Sequence, residues 1–207
     1  LGGAQTGTGK TAAFVLPMLQ KMMEGTPAGG PRKIRTLVLT PTRELAVQVH
    51  DSIKTYGKHA RIASTVIYGG AGMQPQIDAM RRGVEILVAT PGRLIDHIER
   101  GTARLGEVEL LVLDEADRML DMGFLPAIKR ILNRLPKERQ TLLFSATFEE
   151  QVKSLALEFM RDPKQVQVTA RNTIADTIVH RAHPVYGSRK RDLLIDILTK
   201  RHTDQVL

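Results

Sequence analysis

An open, mostly parallel α/β sheet with helices on both faces is the fold class that three features of this 207-residue sequence predict. Short β-branched and apolar runs recur along the chain. Stretches of helical period separate them, and the runs themselves do not alternate with polar residues. Strand–helix alternation builds right-handed βαβ units, and a strand that is apolar at every position is buried on both faces. With 42% hydrophobic residues the chain has material for a sizeable core.

Strands are predicted at Ile34–Thr40, Ile62–Tyr68, Val84–Thr90, Glu109–Leu113, Thr141–Ser145 and Val166–Thr169. Between them, Leu45, Val49, Ile53 and Tyr56, and again Ile128, Leu132 and Leu135, fall at helical spacing. Gly25–Pro31 reads as a surface loop after a first helix over Ala12–Met23. The character changes after Ala170. A polar stretch at Arg171–Thr173, a strand-like Ile178–Val185 and a helix-like Arg189–Arg201 read as a linker and the start of a second domain. The chain opens Leu1-Gly2-Gly3 without an initiating methionine, so it is expected to be a piece of a longer protein.

Composition excludes several classes. There are no cysteines, hence no disulfide framework, no thiolate zinc site and no cysteine nucleophile. That usage fits a reducing, cytoplasmic location, and no apolar run approaches the roughly 18 residues of a membrane span. Thirty Lys and Arg against 22 Asp and Glu give a charge of +8. Residues 1–100 hold 13 basic and 7 acidic groups, and residues 101–207 hold 17 and 15. Such an excess is either a solvated basic surface or the footprint of a polyanion.

The chemistry-bearing residues follow the predicted strands. Ala4-Gln5-Thr6-Gly7-Thr8-Gly9-Lys10-Thr11 fits the phosphate-loop pattern, with Ala at its first position. Glycines let backbone N–H groups close on phosphate oxygens, and the helix beginning near Lys10 adds its positive end. Lys10 would reach the β- and γ-phosphates of a nucleotide, and the Thr11 hydroxyl would bind Mg²⁺. Asp114-Glu115-Ala116-Asp117 directly follows the run Leu110–Leu113. Carboxylates there are often simple helix caps. With a phosphate loop in the same parallel sheet, Asp114 is expected to hold Mg²⁺ through water, and Glu115 to orient and deprotonate an attacking water.

Pro41, Thr42 and Arg43 follow the run Ile34–Thr40, Gly69 and Gly70 the next, Thr90, Gly92 and Arg93 the next, and Ser145 and Thr147 a later one. Their N–H, hydroxyl and guanidinium groups suit a sugar–phosphate backbone. With aromatics at 4% and no Trp, stacking on bases is poorly supplied. His180 and His183 could pair on a helix, but their neighbours are strand-like. They and His50, His59, His97 and His202 are assigned surface or packing roles. Arg189-Lys190-Arg191 reads as a solvated helix face.

This ordered set of motifs resembles the DEAD-box ATP-dependent RNA helicases, and residues 172–207 resemble the bacterial RhlE-type branch. The resemblance implies a RecA-like (P-loop NTPase) domain over residues 1–170, lacking the family's upstream Gln motif. It makes residues 171–207 the linker and truncated start of a second RecA-like domain. It implies ATP binding by Ala4–Thr11, chemistry by Lys10, Asp114 and Glu115, and coupling by Asp117, Ser145 and Thr147. It also implies that Pro41, Thr42, Arg43, Gly69, Gly70, Thr90, Gly92 and Arg93 line a path for RNA read through its backbone. Two other readings compete: a translocating DNA motor or other RecA-like ATPase, and a non-enzymatic nucleotide- or RNA-binding module.

Overall fold

The computed structural model describes residues 1–3, 9–24, 31–147, 149–167 and 182–201. The chain divides into two compact units, Leu1–Arg171 and Asn172–Leu207. In the first, seven strands alternate with helices: β1 (Gly2–Gly3), α1 (Lys10–Glu24), β2 (Thr36–Leu39), α2 (Arg43–Tyr56), β3 (Ser64–Ile67), α3 (Met73–Arg81) and β4 (Ile86–Ala89). Then come α4 (Pro91–Glu99), β5 (Leu110–Leu113), α5 (Ala116–Asp121), α6 (Leu125–Leu132), β6 (Gln140–Ser145), α7 (Glu150–Phe159) and β7 (Val166–Gln167). The strands form one sheet in the order β3-β4-β2-β5-β6-β1-β7, and every pairing is parallel.

Both faces of the sheet are covered. Along β5, Leu110 and Val112 face one layer while Leu111 and Leu113 face the other. The first layer packs Phe14, Val15, Met18 and Leu19 of α1 and Ala46, Val49 and Ile53 of α2. The second packs Leu94, Met119, Ile128 and Leu155 from α4, α5, α6 and α7. Burial on both sides explains why these strands show no apolar–polar alternation.

Register makes the strands end together. Leu39 pairs with both Ala89 and Leu113, and Ala89 pairs with Ile67, so β2 to β5 finish level. β6 runs two residues further, to Ser145, which pairs with Gly3 of β1.

Several sequence expectations change in detail. The strands are shorter than their apolar runs, because flanking residues such as Arg35 and Thr40 bond to neighbouring strands as single bridges beyond the ladders. β1 carries no apolar signal at all. A Cβ on Gly2 would sit 2.6 Å from the Phe144 ring, so that position needs a residue without a side chain. The helical period at Ile128 and Leu132 ends in α6 before Leu135, which is nonetheless buried.

In the second unit, residues 182–186 form no strand, correcting the expectation for that part of Ile178–Val185. They are exposed and pair with no other strand. A 3₁₀ turn (Gly187–Arg189) leads into α8 (Lys190–Arg201), and Arg189, Lys190 and Arg191 are exposed. The Gly25–Gly30 loop, Arg171–Thr173, His180 and His202 lie outside the described residues, as do Asn172, Ala175, Asp176 and Thr177 of the branch-specific resemblance. His97 is a packing residue: it is fully buried, with Nδ1 2.8 Å from Thr102 Oγ1. Among the described residues no helix is long and apolar enough to cross a membrane.

Leu111 sits at the centre of the sheet with no exposed surface. Leu111→Ala is expected to destabilise the chain by about 2–5 kcal/mol, read by urea unfolding as a lower midpoint with an unchanged slope. A loss below about 1 kcal/mol would contradict the tight packing of that layer.

Candidate nucleotide and nucleic-acid site

The level carboxyl ends of the strands bring most of the singled-out residues to one edge. Of the phosphate loop, Gly9, Lys10 and Thr11 are described, while Ala4, Gln5, Thr6, Gly7 and Thr8 lie outside the described residues. Gly9 has φ +84° and its carbonyl accepts from Ala13 N at 3.0 Å, so it opens α1 in a conformation that favours glycine. Lys10 is the first residue of α1, and Thr11 the second.

Asp114 closes β5 and is 5% exposed. Its Oδ1 accepts from the Glu115 backbone N at 3.1 Å, and its Oδ2 accepts no hydrogen bond from the described residues. Burial pushes its carboxyl up to about 6, from an ordinary value of 3.8. The neighbouring Lys10 charge pulls the other way, while Glu115 and Asp117 add to the rise. A buried carboxylate within reach of the Lys10 charge at the start of α1 fits a bound divalent cation. Among the described residues no three His, Asp or Glu gather as a metal cluster. An ion there would complete its shell with water and phosphate, as Mg²⁺ commonly does.

Glu115 adopts φ 53° and ψ 53°, a left-handed conformation unusual for a residue with a side chain. The kink turns the chain from β5 into α5, and Arg118 Nη1 lies 3.3 Å from Glu115 Oε2. Asp117, at the start of α5, reaches across to the end of β6. Its Oδ2 accepts from Ala146 N at 3.0 Å, Thr147 N at 2.9 Å and Thr147 Oγ1 at 3.2 Å. Ser145 is buried, and its hydroxyl donates to the Thr147 carbonyl at 2.5 Å.

With this geometry in view, the chain matches the DEAD/DEAH box helicase family over residues 1–155. It belongs to that family. It is 44% identical over 198 residues to the DEAD-box ATP-dependent RNA helicase CshA of Geobacillus kaustophilus, covering 96% of this chain and 41% of that protein. It is 42% identical to the ATP-dependent RNA helicase DeaD of Escherichia coli K12, covering all of this chain and 32% of the relative. Among solved structures, a DEAD box protein from Methanococcus jannaschii superposes with a TM-score of 0.74 at 38% identity, over 95% of this chain and 51% of that one. The yeast DEAD-box splicing factor Prp28 does so with 0.76 at 35%, over 83% and 41%. The chain thus spans about a third to two fifths of the length of these curated relatives.

The far half of this DEAD/DEAH box domain's edge, at β2, β4 and β3, carries the other residue set. Thr42 caps α2 by accepting from Leu45 N at 3.3 Å, and Pro41 is buried beside it. Arg43 lays its guanidinium over the Tyr68 ring, 4.8 Å from the centroid, with its side chain exposed at the surface. Gly69, Gly70 and Gly92 are exposed, whereas Thr90 is buried and its N donates to Ile67 O at 3.1 Å. Arg93, expected to line the RNA path, is mostly covered in the structure. Its side chain is 11% exposed, Nη1 donates to Ala71 O at 3.0 Å, and Nε lies 3.5 Å from Asp96 Oδ2.

One residue of this edge escaped the sequence reading. Gln76 of α3 is buried; its Nε2 donates to Tyr68 O and Gly72 O, and its Oε1 accepts from Tyr68 N, each at 3.2 Å. Gln76 and Arg93 therefore fasten the Gly69-Gly70 loop from two sides. The available signal was a Gln beside Ile77 on the buried face of a helix, where an apolar residue is expected.

The raised Asp114 carboxyl has a stability consequence. Because its folded value lies above its unfolded one, the native state binds the proton more tightly, and ionisation costs stability as pH rises from about 4 to 6. In EDTA, Asp114→Asn is expected to raise Tm by a few degrees at pH 7.5 and to change it little at pH 4, since a rise of that size corresponds to at most about 3 kcal/mol. Thermal unfolding of both forms across pH checks this. An equal effect at both pH values would remove the ionised carboxylate as the cause.

Proposed function

We propose that this chain is the nucleotide-hydrolysing RecA-like domain, residues 1–170, of an ATP-dependent RNA helicase that opens short RNA duplexes or remodels RNA–protein complexes. Residues 171–207 are then the linker and start of a second such domain. The observation that carries the reading is the triple hydrogen bond of Asp117 to Ala146 and Thr147. It joins the carboxylate segment after β5 to the end of β6, which itself pairs with β1, the strand leading into the phosphate loop. Family membership and the activities for which CshA and DeaD are named support the same assignment.

In this reading the loop at residues 4–9, the start of α1 and Lys10 hold the phosphates of ATP. Thr11 and Asp114 hold Mg²⁺, which when bound neutralises phosphate charge. Glu115, 16% exposed at the mouth of the site, orients the attacking water and takes its proton. Asp117 makes the conformation of the β6 end respond to events at Asp114 and Glu115. Arg43 offers an exposed guanidinium edge to RNA phosphates, while Arg93 and Gln76 hold the Gly69-Gly70 loop in place for the backbone to approach. A second RecA-like domain would supply the arginine groups that, in related phosphate-loop enzymes, are worth about 10³–10⁵ in rate.

Glu115→Gln, in a full-length protein containing this chain, is expected to keep ATP binding and lower RNA-stimulated hydrolysis by about 10²–10⁴-fold. Phosphate release and nucleotide titration read the two effects separately. A variant holding more than about a tenth of the parent rate would take Glu115 out of the base role.

Arg43→Ala should weaken binding to unrelated single strands alike and lower the salt slope by about one. Arg93→Lys, which keeps the charge but loses the bond to Ala71, should also weaken binding, with the salt slope retained. Filter binding at several salt concentrations distinguishes the two. A loss confined to one RNA sequence would sink the backbone model.

A further inference from the structure

The chemistry described so far occupies the carboxyl edge of the sheet. At the opposite edge, the segments entering β2, β4 and β5 and the last turns of α3 and α4 enclose an open cleft of about 960 Å³. Its lining includes Arg32, Lys33, Arg81, Arg82, Arg100 and Arg104, against a single acidic residue, Glu107. That is a charge of 6 − 1 = +5 in one cleft, where the whole chain carries +8.

Basic groups at helix ends are common, because they complement the helix dipole and neighbouring carboxylates. Half of this set has such partners. Arg32 lies 3.6 Å from Glu85, Lys33 2.7 Å from Glu107 and Arg81 3.8 Å from Asp78. Arg82, Arg100 and Arg104 are exposed, and their guanidinium groups have no hydrogen bond or ion pair among the described residues. These three exposed cations, drawn from α3, α4 and the segment before β5, line one cleft and offer complementary charge to an anionic ligand spanning them.

The lining also selects among polyanions. It contains no aromatic residue, so an unpaired base has only guanidinium planes to stack on. Of its larger apolar members, Ile34, Met80 and Val84 are each more than nine-tenths buried, which leaves only the exposed Pro31 to meet the apolar anchors of an acidic peptide. What remains is a broad array of guanidinium groups, which reads phosphates and shape. Base-paired RNA presents those features, with its bases turned inward.

We infer that the amino-edge cleft is a second RNA site, which grips the phosphate backbone of a double-stranded flank through Arg82, Arg100 and Arg104. The choice of RNA rests on the proposed function, but the site is separate from the carboxyl edge. It would tether the domain to structured RNA while the opposite edge engages a single strand.

The test is fluorescence anisotropy of the 207-residue chain with a labelled blunt-ended duplex of about 16 base pairs, the span of a compact duplex-RNA-binding domain, and, separately, a short oligouridylate. The triple variant R82A/R100A/R104A should bind the duplex at least about tenfold more weakly and show a salt slope smaller by roughly 2–3, as three lost phosphate contacts require. The lysine triple R82K/R100K/R104K should restore most of the affinity, which a folding defect would not allow. K58A/R134A/K137A removes the same charge from exposed positions outside the cleft and should leave duplex binding within about twofold.

Unchanged duplex affinity in the first triple, an equal loss in the control triple, or no duplex binding by the parent chain would each overturn the site. So would polyglutamate binding the cleft more tightly than duplex, which would identify an acidic protein segment as its partner. If oligouridylate fails to bind while duplex binding depends on the three arginines, the carboxyl-edge RNA reading fails and the cleft stands.

Discussion

Parallel pairing with level strand ends is the constraint on which the rest of this structure depends. Four neighbouring strands stop in register at Ile67, Ala89, Leu39 and Leu113, and each connection must then cross back over a face of the sheet. Every segment leaving a strand therefore starts at the same edge, whatever its position in the sequence. Residues 75 positions apart, such as Thr40 and Glu115, become neighbours in the row of loops. The same rule collects the segments that enter the strands at the other edge, which is how Arg32, Arg82 and Arg104 come to share a cleft.

β5 has the central role in that arrangement. Its four residues are buried on both faces, so its end is held rigidly and delivers Asp114 into a nearly dry position. A carboxylate there is costly in its charged form, which the raised Asp114 carboxyl records. Lys10 offsets only part of that cost. In the proposed reading a bound cation offsets the rest, so cation binding and local stability would be linked. The left-handed turn at Glu115 stores a further local strain, held by the packing of Ala116 and Met119 directly behind it.

The sheet order also divides the edge into two halves. Phosphate-loop, carboxylate and Ser145–Thr147 segments stand on β1, β5 and β6, while the residues proposed to meet RNA stand on β2, β4 and β3. β5 pairs with both β2 and β6, so it is the strand through which the halves meet. On one side Asp117 fastens the β6 end; on the other Gln76 and Arg93 fasten the Gly69-Gly70 loop. Buried or multiply bonded polar groups of this kind hold loops in one conformation, since releasing them leaves polar atoms unsatisfied.

The residues alone determined the fold class, six of the seven strands and the family. Buried parallel strands leave continuous apolar runs, and phosphate and carboxylate motifs are short, local and rigidly spaced. β1 was invisible because two glycines carry no β-forming pattern; only the approach of Phe144 shows why they are there. The placements of Gln76, Arg93 and Ser145 were decided by tertiary structure. Whether a guanidinium meets solvent or the Ala71 carbonyl depends on which distant segment packs beside it. Charge could likewise be counted along the chain, but its concentration at the amino edge could not. That depended on strand order, which long-range pairing sets and no local stretch of sequence contains.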